Sequence, residues 1–216
     1  QVSAVGLGTN NFGGRMEAEP AARVVEEAID LGINFIDTAD IYSKHLSEEY
    51  IGRAVKGKRQ QVLIGTKLGG AMGDGPNEKG ASRQHIMRAV EESLHSLNTD
   101  YIDLYQIHFP DASTPIEETL RALTDLVCQG KVRYIGCSNY AAWQAAEALW
   151  TSRTQHLESF VSVQPHYNLL TRDVEKELIP FCNHYNMGIL PYFPLAAGFL
   201  TGKYRRGQDP PDGTRM

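Results

Sequence analysis

The feature that most constrains the fold is a regular alternation of short apolar segments with longer amphipathic segments. The apolar runs are bounded by Gly, Pro, Asn or Asp, which is typical of buried parallel strands. They cover residues 2–9, 34–39, 62–67, 102–108, 132–138, 161–164 and 188–192. Their starts recur roughly every 30 residues, which is the size of one βα unit. The chain is therefore predicted to be an α/β protein with a parallel sheet.

The segments between these strands carry helix start signals. Thr114, Pro115 and Glu117 predict a capping box with proline at the first helical position. Ser82 and Thr171 are expected to cap two further helices.

Two architectures are compatible with strict βα alternation: an open doubly wound sheet and a closed barrel. After the first strand, Gly6 and Gly8 lead to Thr9 and Asn10 rather than to a glycine-rich helix start, so the dinucleotide fingerprint of the open fold is absent. Polar residues follow most strands, and in a barrel these strand ends converge on one mouth. We therefore predict a (β/α)8 TIM barrel. We expect one domain over residues 1–216 with about seven of the eight βα units, lacking the eighth unit and a C-terminal tail.

Composition excludes several classes of partner. The net charge is −5, with acidic and basic residues mixed along the chain, so neither nucleic acid nor an anionic membrane is expected as a partner. The longest apolar stretches, such as residues 187–195, are too short to span a bilayer. Cys128, Cys137 and Cys182 show no metal-binding or disulfide spacing, which favours a reducing, cytoplasmic setting.

Four polar residues lie at or just after the ends of three neighbouring strands: Asp37 and Tyr42, then Lys67, then His108. Each one alone has an ordinary structural explanation, such as a capping carboxylate or a hydrogen-bonded core histidine. Together they suggest a site, because a lysine ending an apolar strand needs a partner, and Asp37 is the available carboxylate.

This set has the chemistry of a proton donor. A free tyrosine has a pKa of about 10, and an ammonium beside Tyr42 is expected to lower it. His108 would orient a carbonyl oxygen toward the Tyr42 hydroxyl. The set contains no nucleophile for acyl transfer, and His108 has no second histidine at metal-ligand spacing. A lyase that uses Lys67 as a Schiff-base nucleophile is a rival hypothesis, disfavoured because a lysine paired with Asp37 should stay protonated.

The later strands end in groups that suit a planar amide-bearing ring. Ser138, Asn139 and Gln164 offer a hydroxyl and two amides for a carboxamide, and Tyr192 offers a flat face. For Ser138 and Asn139, capping of the next helix is an equally good interpretation. Lys203 is interpreted as a solvated charge unless a phosphate lies near it.

In several segments the chain resembles the aldo-keto reductase superfamily, most closely its bacterial and potassium-channel-β-subunit branch. The matching segments are residues 32–42 (GINFIDTADIY), 47–49 (SEE), 100–108 (DYIDLYQIH), 130–139 (GKVRYIGCSN) and 192–203 (YFPLAAGFLTGK). Phe193 departs from this pattern, because serine is common there in this branch.

The resemblance implies an NADP(H)-dependent reductase of aldehydes or ketones, with NAD(H) as the alternative cofactor. It implies a catalytic tetrad of Asp37, Tyr42, Lys67 and His108, in which Tyr42 is the general acid. It also implies that Ser138, Asn139 and Gln164 hold the nicotinamide carboxamide while Tyr192 stacks on the ring. The other residues implied to line the cofactor are Thr9, Asn10, Asp37, Phe193, Pro194, Leu195, Ala196 and, near the phosphates, Lys203. A rival interpretation is an NADPH-binding, redox-sensing subunit with little turnover.

Overall fold

A computed structural model of the chain describes residues 1–75 and 77–210. The strands are β1 (Gly6–Gly8), β2 (Phe35–Asp37), β3 (Leu63–Leu68), β4 (Ile102–Ile107), β5 (Val132–Ser138), β6 (Ser162–Gln164) and β7 (Gly188–Ile189). The α-helices are α1 (Ala18–Asp30), α2 (Leu46–Ala54), α3 (Arg83–Leu97), α4 (Ile116–Cys128), α5 (Ala142–Gln155) and α6 (Leu178–Tyr185). Short 3₁₀ turns cover Arg59–Gln61, Asp173–Glu175 and Ala196–Thr201.

The strands form a single parallel sheet in the order β1-β2-β3-β4-β5-β6-β7. The sheet is strongly curled, because Thr9 after β1 and Leu190 after β7 line the same cavity. Within the described residues β1 and β7 are the two edges of the sheet. This arrangement confirms the predicted β/α-barrel class, with seven strands in sequence order.

The core lies between the sheet and the surrounding helices. On α4, one apolar face is fully buried through Leu120, Leu123 and Leu126. Ile64 and Ile102 are equally buried on the sheet side. Burying one aliphatic side chain of this size contributes roughly 1.5–3 kcal/mol, so these contacts hold the helices on the sheet. No helix among the described residues combines the length and apolar character that crossing a membrane requires.

The predicted strands are all present, but several are shorter than expected. Residues 34–39 form a strand only over Phe35–Asp37, and residues 188–192 only over Gly188–Ile189. The first strand is shortened as well. Residues 2–9 were predicted, and only Gly6–Gly8 form ladder bonds. The preceding segment is held instead by the side chain of Asn34, whose Oδ1 accepts from the Ser3 amide at 2.8 Å and whose Nδ2 donates to the Gln1 carbonyl at 2.9 Å. Side-chain hydrogen bonds thus replace the ladder, which hydrophobicity alone does not reveal.

One predicted cap is confirmed and one is wrong. The Ser82 hydroxyl accepts a hydrogen bond from the His85 amide at 3.4 Å and caps α3. The predicted capping box at Thr114 does not form, because the helix begins one residue later with Pro115 in the cap position. The Thr114 hydroxyl donates instead to Asp111 at 2.7 Å, so a neighbouring carboxylate outcompetes the helix end.

Two other capping interpretations are also wrong. Thr171 does not cap a helix, since its backbone amide donates to the Asn168 side chain at 3.0 Å and α6 begins only at Leu178. Ser138 and Asn139 do not cap α5, whose cap position is Ala141.

A buried ion cluster closes the end of the barrel where the strands begin. Asp103 accepts from Arg59 at 2.7 Å, from Arg133 at 3.2 Å and from the Ile64 amide at 2.9 Å. The Tyr101 ring lies against both guanidinium groups, at 4.0 and 3.9 Å from its centroid. The carboxylate is therefore paired on both of its oxygens.

Candidate functional site

A cavity of about 1050 Å³ opens at the carboxyl ends of the strands, the end where barrel enzymes carry their sites. The predicted site residues that line it are Thr9, Asn10, Asp37, Tyr42, His108, Ser138, Asn139, Gln164, Tyr192, Phe193, Pro194, Leu195 and Lys203. Lys67 and Ala196, both in the described part of the chain, do not line it. Lys67 is fully buried beneath the cavity floor.

The predicted pairing of Lys67 with Asp37 is present. Lys67 Nζ lies 2.8 Å from Asp37 Oδ2 and donates to the Thr38 carbonyl at 2.6 Å. The other carboxylate oxygen, Oδ1, accepts from Gln164 Nε2 at 2.8 Å. A buried ammonium is tolerated only when its neighbours satisfy it in this way. The side chains of β2, β3 and β6 thus fix one cation under the cavity.

Tyr42 lies beside this cation, with Lys67 Nζ 5.1 Å from its ring centroid. Burial raises the pKa of Tyr42 above its usual value of 10.0, and the lowering influence of Lys67 offsets this only in part. Lys67 does lower the pKa as predicted, but not enough to bring it below the ordinary value. The reason is that desolvation of the phenolate outweighs the attraction of the ammonium. Tyr42 accordingly keeps its proton at neutral pH.

His108 meets Tyr42 edge-on, with ring centroids 6.0 Å apart, and stacks on Phe109 at 4.4 Å. Burial and then the charge of Lys67 lower the pKa of His108 to about 3. Its Nδ1 has no hydrogen-bond partner among the described residues. The ring is therefore neutral, with an unsatisfied nitrogen.

The residues predicted to hold a carboxamide form one hydrogen-bonded group. Asn139 adopts a left-handed backbone conformation, with φ +61°, which asparagine tolerates well. Its Nδ2 donates to the His108 carbonyl at 3.0 Å and to Ser138 Oγ at 3.1 Å, and its Oδ1 accepts from the Tyr192 hydroxyl at 2.8 Å. Ser138 Oγ donates to the Gln164 carbonyl at 2.8 Å. Both hydrogens of Asn139 Nδ2 and the hydroxyl hydrogens of Ser138 and Tyr192 are used within the protein, which leaves acceptor lone pairs for a ligand.

The aromatic end of the cavity is stiffened by a second ring. His166 stacks on Tyr192 with centroids 5.1 Å apart and an interplanar angle of 11°. Phe193 meets the Tyr192 ring edge-on at 5.3 Å and has a left-handed backbone, with φ +53°. The Tyr192 ring is thereby held in one orientation at the cavity wall.

The chain then turns through consecutive left-handed residues, Ala196, Ala197 and Gly198. Lys203 folds back over this turn, since a Cβ built on Gly198 would lie 2.8 Å from Lys203 Nζ. A backbone turn of this kind with an adjacent ammonium is a suitable surface for an anion.

Sequence reasoning missed Gln106 on β4. Its Nε2 lies 3.4 Å from Asp37 Oδ1, and its Oε1 is buried without a hydrogen-bond partner among the described residues. The available signal was an amide in the middle of a strand, two residues before His108. Sequence reasoning also missed a cluster formed by Asp40, His45 and Glu48 in the segment that carries Tyr42.

Across the described chain, no group of three or more His, Cys, Asp or Glu side chains is arranged to hold a metal ion.

Comparison with known proteins adds a family relationship. The sequence profile of the Aldo/keto reductase family matches residues 4–216. A "Probable voltage-gated potassium channel subunit beta" from Oryza sativa subsp. japonica is 38% identical over 205 residues, covering 93% of this chain and 62% of the relative. "Aldo-keto reductase YhdN" from Bacillus subtilis (strain 168) is 39% identical over 209 residues, covering 94% and 61%. A "Putative aryl-alcohol dehydrogenase AAD16" from Saccharomyces cerevisiae is 36% identical over 236 residues, covering 97% and 69%.

Proposed function

The chain belongs to the Aldo/keto reductase family, and from that premise we propose that it is an oxidoreductase reducing an aldehyde or ketone to an alcohol, with NADP(H) as cofactor. The chain spans 62% and 61% of the length of the plant and Bacillus relatives, so activity, substrate and partners of the whole protein all belong to the proposal. The observation that carries it is the meeting of Tyr42, His108 and the buried Lys67–Asp37 pair at one cavity.

The residues at the far side of the cavity fit a nicotinamide dinucleotide, which supplies the hydride when bound. The oxygens of Asn139 and Gln164 match the amide hydrogens of a carboxamide, since their own nitrogens already donate to the protein. The Tyr192 ring, held by His166, offers a flat face for the pyridine ring.

The turn at Ala196, Ala197 and Gly198 together with Lys203 is assigned to the phosphates. In place of the serine that is common in this branch, Phe193 packs against Tyr192 rather than offering a hydroxyl. We therefore expect phosphate binding to depend on Lys203 and the backbone of the turn.

Tyr42 is the proton donor in this proposal. Because burial keeps its pKa above 10.0, the hydroxyl is fully protonated at neutral pH and available to the substrate oxygen. As that oxygen gains negative charge, the proton moves toward it and the developing phenolate is stabilised by Lys67, which Asp37 holds in place. The cation is thus positioned before the reaction begins and needs no reorganisation.

His108 orients the carbonyl. A neutral imidazole can donate one N–H to the carbonyl oxygen without carrying a charge that would compete with Lys67. Its edge-on placement against Tyr42 directs the substrate oxygen toward the tyrosine hydroxyl.

The test compares NADPH oxidation by the wild-type full-length protein and Tyr42→Phe, with an activated aromatic aldehyde as substrate. Phenylalanine keeps the ring and removes the proton, so turnover should fall on the order of 10²-fold or more while cofactor affinity is retained. Tyr134→Phe is the matched control, since Tyr134 is 60% exposed on the outer surface. Wild-type turnover in Tyr42→Phe would overturn the assignment of the proton donor.

The channel-subunit name of the rice relative favours a second candidate, a cofactor-binding regulatory subunit with little turnover. That candidate requires tight NADPH binding and no oxidation of NADPH with any activated aldehyde, in wild type and Tyr42→Phe alike.

The lyase alternative has less support, because Lys67 Nζ is fully buried and already donates to Asp37 and Thr38.

A further inference from the structure

A second group of buried ionisable side chains lies outside the tetrad, below the loop that carries Tyr42. Glu48 is fully buried and accepts from Thr66 Oγ1 at 2.6 Å. Its other oxygen lies 2.5 Å from His45 Nδ1. Asp40 is also fully buried, and its Oδ2 has no hydrogen-bond partner among the described residues. The cluster of Asp40, His45 and Glu48 therefore holds two buried carboxyl groups and one imidazole.

The loop above this cluster is conformationally strained. Ser43, Lys44 and His45 all have left-handed backbones, with φ +52°, +51° and +68°. Non-glycine residues adopt this conformation at a cost in free energy, so surrounding contacts must hold them there. Of these three side chains, only that of His45 bonds to a buried carboxylate, Glu48.

Backbone hydrogen bonds hold the segments before and after Tyr42. The His45 amide donates to the Asp40 carbonyl at 2.7 Å, which closes a turn around Tyr42. The Tyr42 amide donates to the Ala39 carbonyl at 3.1 Å, and the Tyr42 carbonyl accepts from the Ser47 amide at 3.3 Å. The cluster also reaches β3 at Thr66, the residue before Lys67.

We propose that Asp40, His45 and Glu48 form a latch that positions the Tyr42 hydroxyl relative to Lys67 and the substrate. They are positioning residues and touch neither substrate nor cofactor. The proposal rests on the proposed function above, since it assigns the latch to the proton-donating step of that reaction.

The charges around the latch support it. Burial, and then the charge of Glu48, raise the pKa of Asp40 to about 7. Burial opposes protonation of His45, but Glu48, Asp40 and Glu92 together raise its pKa above the ordinary value. The cluster therefore favours the protonated form of His45, which pairs with Glu48, and the neutral form of Asp40.

The remaining charged and titratable groups that face the latch come from the neighbouring elements. Glu92 on α3 lies 3.7 Å from His45 Nε2 and is itself paired with Arg88 at 3.6 Å. Tyr105 on β4 is buried close to Asp40 and Glu48, and Lys67 acts on Asp40. As the pH rises, Asp40 ionises and His45 loses its proton, and both changes weaken the contacts of the latch.

The sign of the pH effect follows from both pKa shifts. The raised pKa of His45 contributes stability that is present below pH 6.5 and lost as the pH rises through the folded value. The raised pKa of Asp40 makes its ionisation a cost that grows between pH 3.8 and about 7. Both effects predict a loop that loosens as the pH rises.

The experiment compares His45→Asn with Lys44→Asn in the full-length protein. Asparagine tolerates a left-handed backbone at both positions, so the two variants differ in the contact with Glu48. Lys44 is exposed and lies in the same strained segment, which makes it the matched control. The readouts are amide hydrogen exchange of residues 41–47, cofactor affinity, and the separate values of kcat and KM. Thermal unfolding verifies that both variants are folded.

For His45→Asn we expect exchange of the loop to speed up at least 10-fold and kcat to fall on the order of 10-fold, with KM and cofactor affinity retained. Lys44→Asn should match wild type in all three. In wild type, loop exchange corrected for intrinsic rates should rise with pH up to about pH 7 as Asp40 ionises, and Asp40→Asn should flatten that part of the rise.

Equal loop exchange and equal kcat in the two variants would overturn the proposal. A loss of KM or cofactor affinity in place of kcat would also overturn it, because it would assign His45 to binding. A wild-type protein that does not oxidise NADPH would contradict the proposed function, whereas the exchange comparison would still decide whether the cluster holds the loop.

Discussion

Two ion-paired carboxylates, Asp103 and Asp37, lie at opposite ends of the barrel and are satisfied in different ways. Asp103, at the closed end, pairs with Arg59 and Arg133 and accepts the Ile64 amide. Asp37, at the open end, pairs with one fully buried lysine and accepts side-chain amides on its other oxygen. The Asp37 side chain is still 17% exposed, toward the cavity.

The difference indicates what each pair does. The carboxylate of Asp103 holds loops at the strand starts, and the guanidinium groups of Arg59 and Arg133 that pair with it pack on the Tyr101 ring. The carboxylate of Asp37 holds Lys67 beside Tyr42, whose hydroxyl is protonated and is the proton donor in the proposed reaction. The first pair should therefore matter for stability and the second for reaction rate.

The largest effect is expected for Lys67→Met. Methionine keeps the length of the side chain and removes the charge that stabilises the developing phenolate of Tyr42, so turnover should fall on the order of 10³-fold. The measurement is kcat for NADPH oxidation, together with cofactor affinity. Asp103→Asn is the comparison variant. A similar loss of kcat in Lys67→Met and Asp103→Asn would contradict the assignment of reaction rate to the open end and stability to the closed end.

The second effect is on stability at the closed end. Asp103→Asn leaves two guanidinium groups without their counter-charge, and removal of one partner of a buried pair costs about 3–5 kcal/mol. Because the Arg133 side chain is 48% exposed, we expect the lower end of that range. Denaturant unfolding measures the change in the free energy of unfolding. Full stability with reduced turnover would contradict a structural role for Asp103.

The third effect is a pH dependence at the open end. The pKa of His108 is lowered to about 3, so folding opposes its protonation, and stability should fall as the pH drops below 6.5. Between about pH 6.5 and about pH 5 the loss should reach about 2 kcal/mol. Unfolding of wild type and His108→Gln at both pH values measures it. An NMR titration in which the His108 ring protonates near pH 6.5 would contradict this prediction.

The smallest effect is expected where an ion pair is exposed. Arg23 and Glu19 on α1 lie 3.1 Å apart, with side chains 64% and 87% exposed. Arg23→Ala should change the free energy of unfolding by no more than about 0.5 kcal/mol and leave kcat unchanged. A larger loss would show that burial is not what separates the pairs at the two barrel ends from ordinary surface pairs.

Much of the fold was predictable because its signals are local and periodic. Alternating βα segments place every strand, and the curl of the sheet follows from the distribution of polar strand ends. Local sequence did not reveal that the Thr114 hydroxyl donates to Asp111, or that Asn168 holds the Thr171 amide while the next α-helix begins only at Leu178.

The residues of the site were predictable from the sequence, but their burial and pKa values were not. Strand-end placement together with the family resemblance identified Asp37, Tyr42, Lys67 and His108. The raised pKa of Tyr42 depends on the depth of burial, which only the packed structure supplies. Asp40 and Glu48 look like ordinary acidic residues in the sequence, because their burial depends on how the loop folds onto β3 and α2.

The proposed reaction at the open end of the barrel is hydride transfer from NADPH to a carbonyl. The most direct test uses NADPH deuterated at the reducing carbon of its nicotinamide ring and an aromatic aldehyde, followed by mass spectrometry of the product. We expect the wild-type protein to form an alcohol that carries one deuterium on the former carbonyl carbon, and Tyr42→Phe to form much less of it. An alcohol without deuterium, or no alcohol despite cofactor binding, would contradict it.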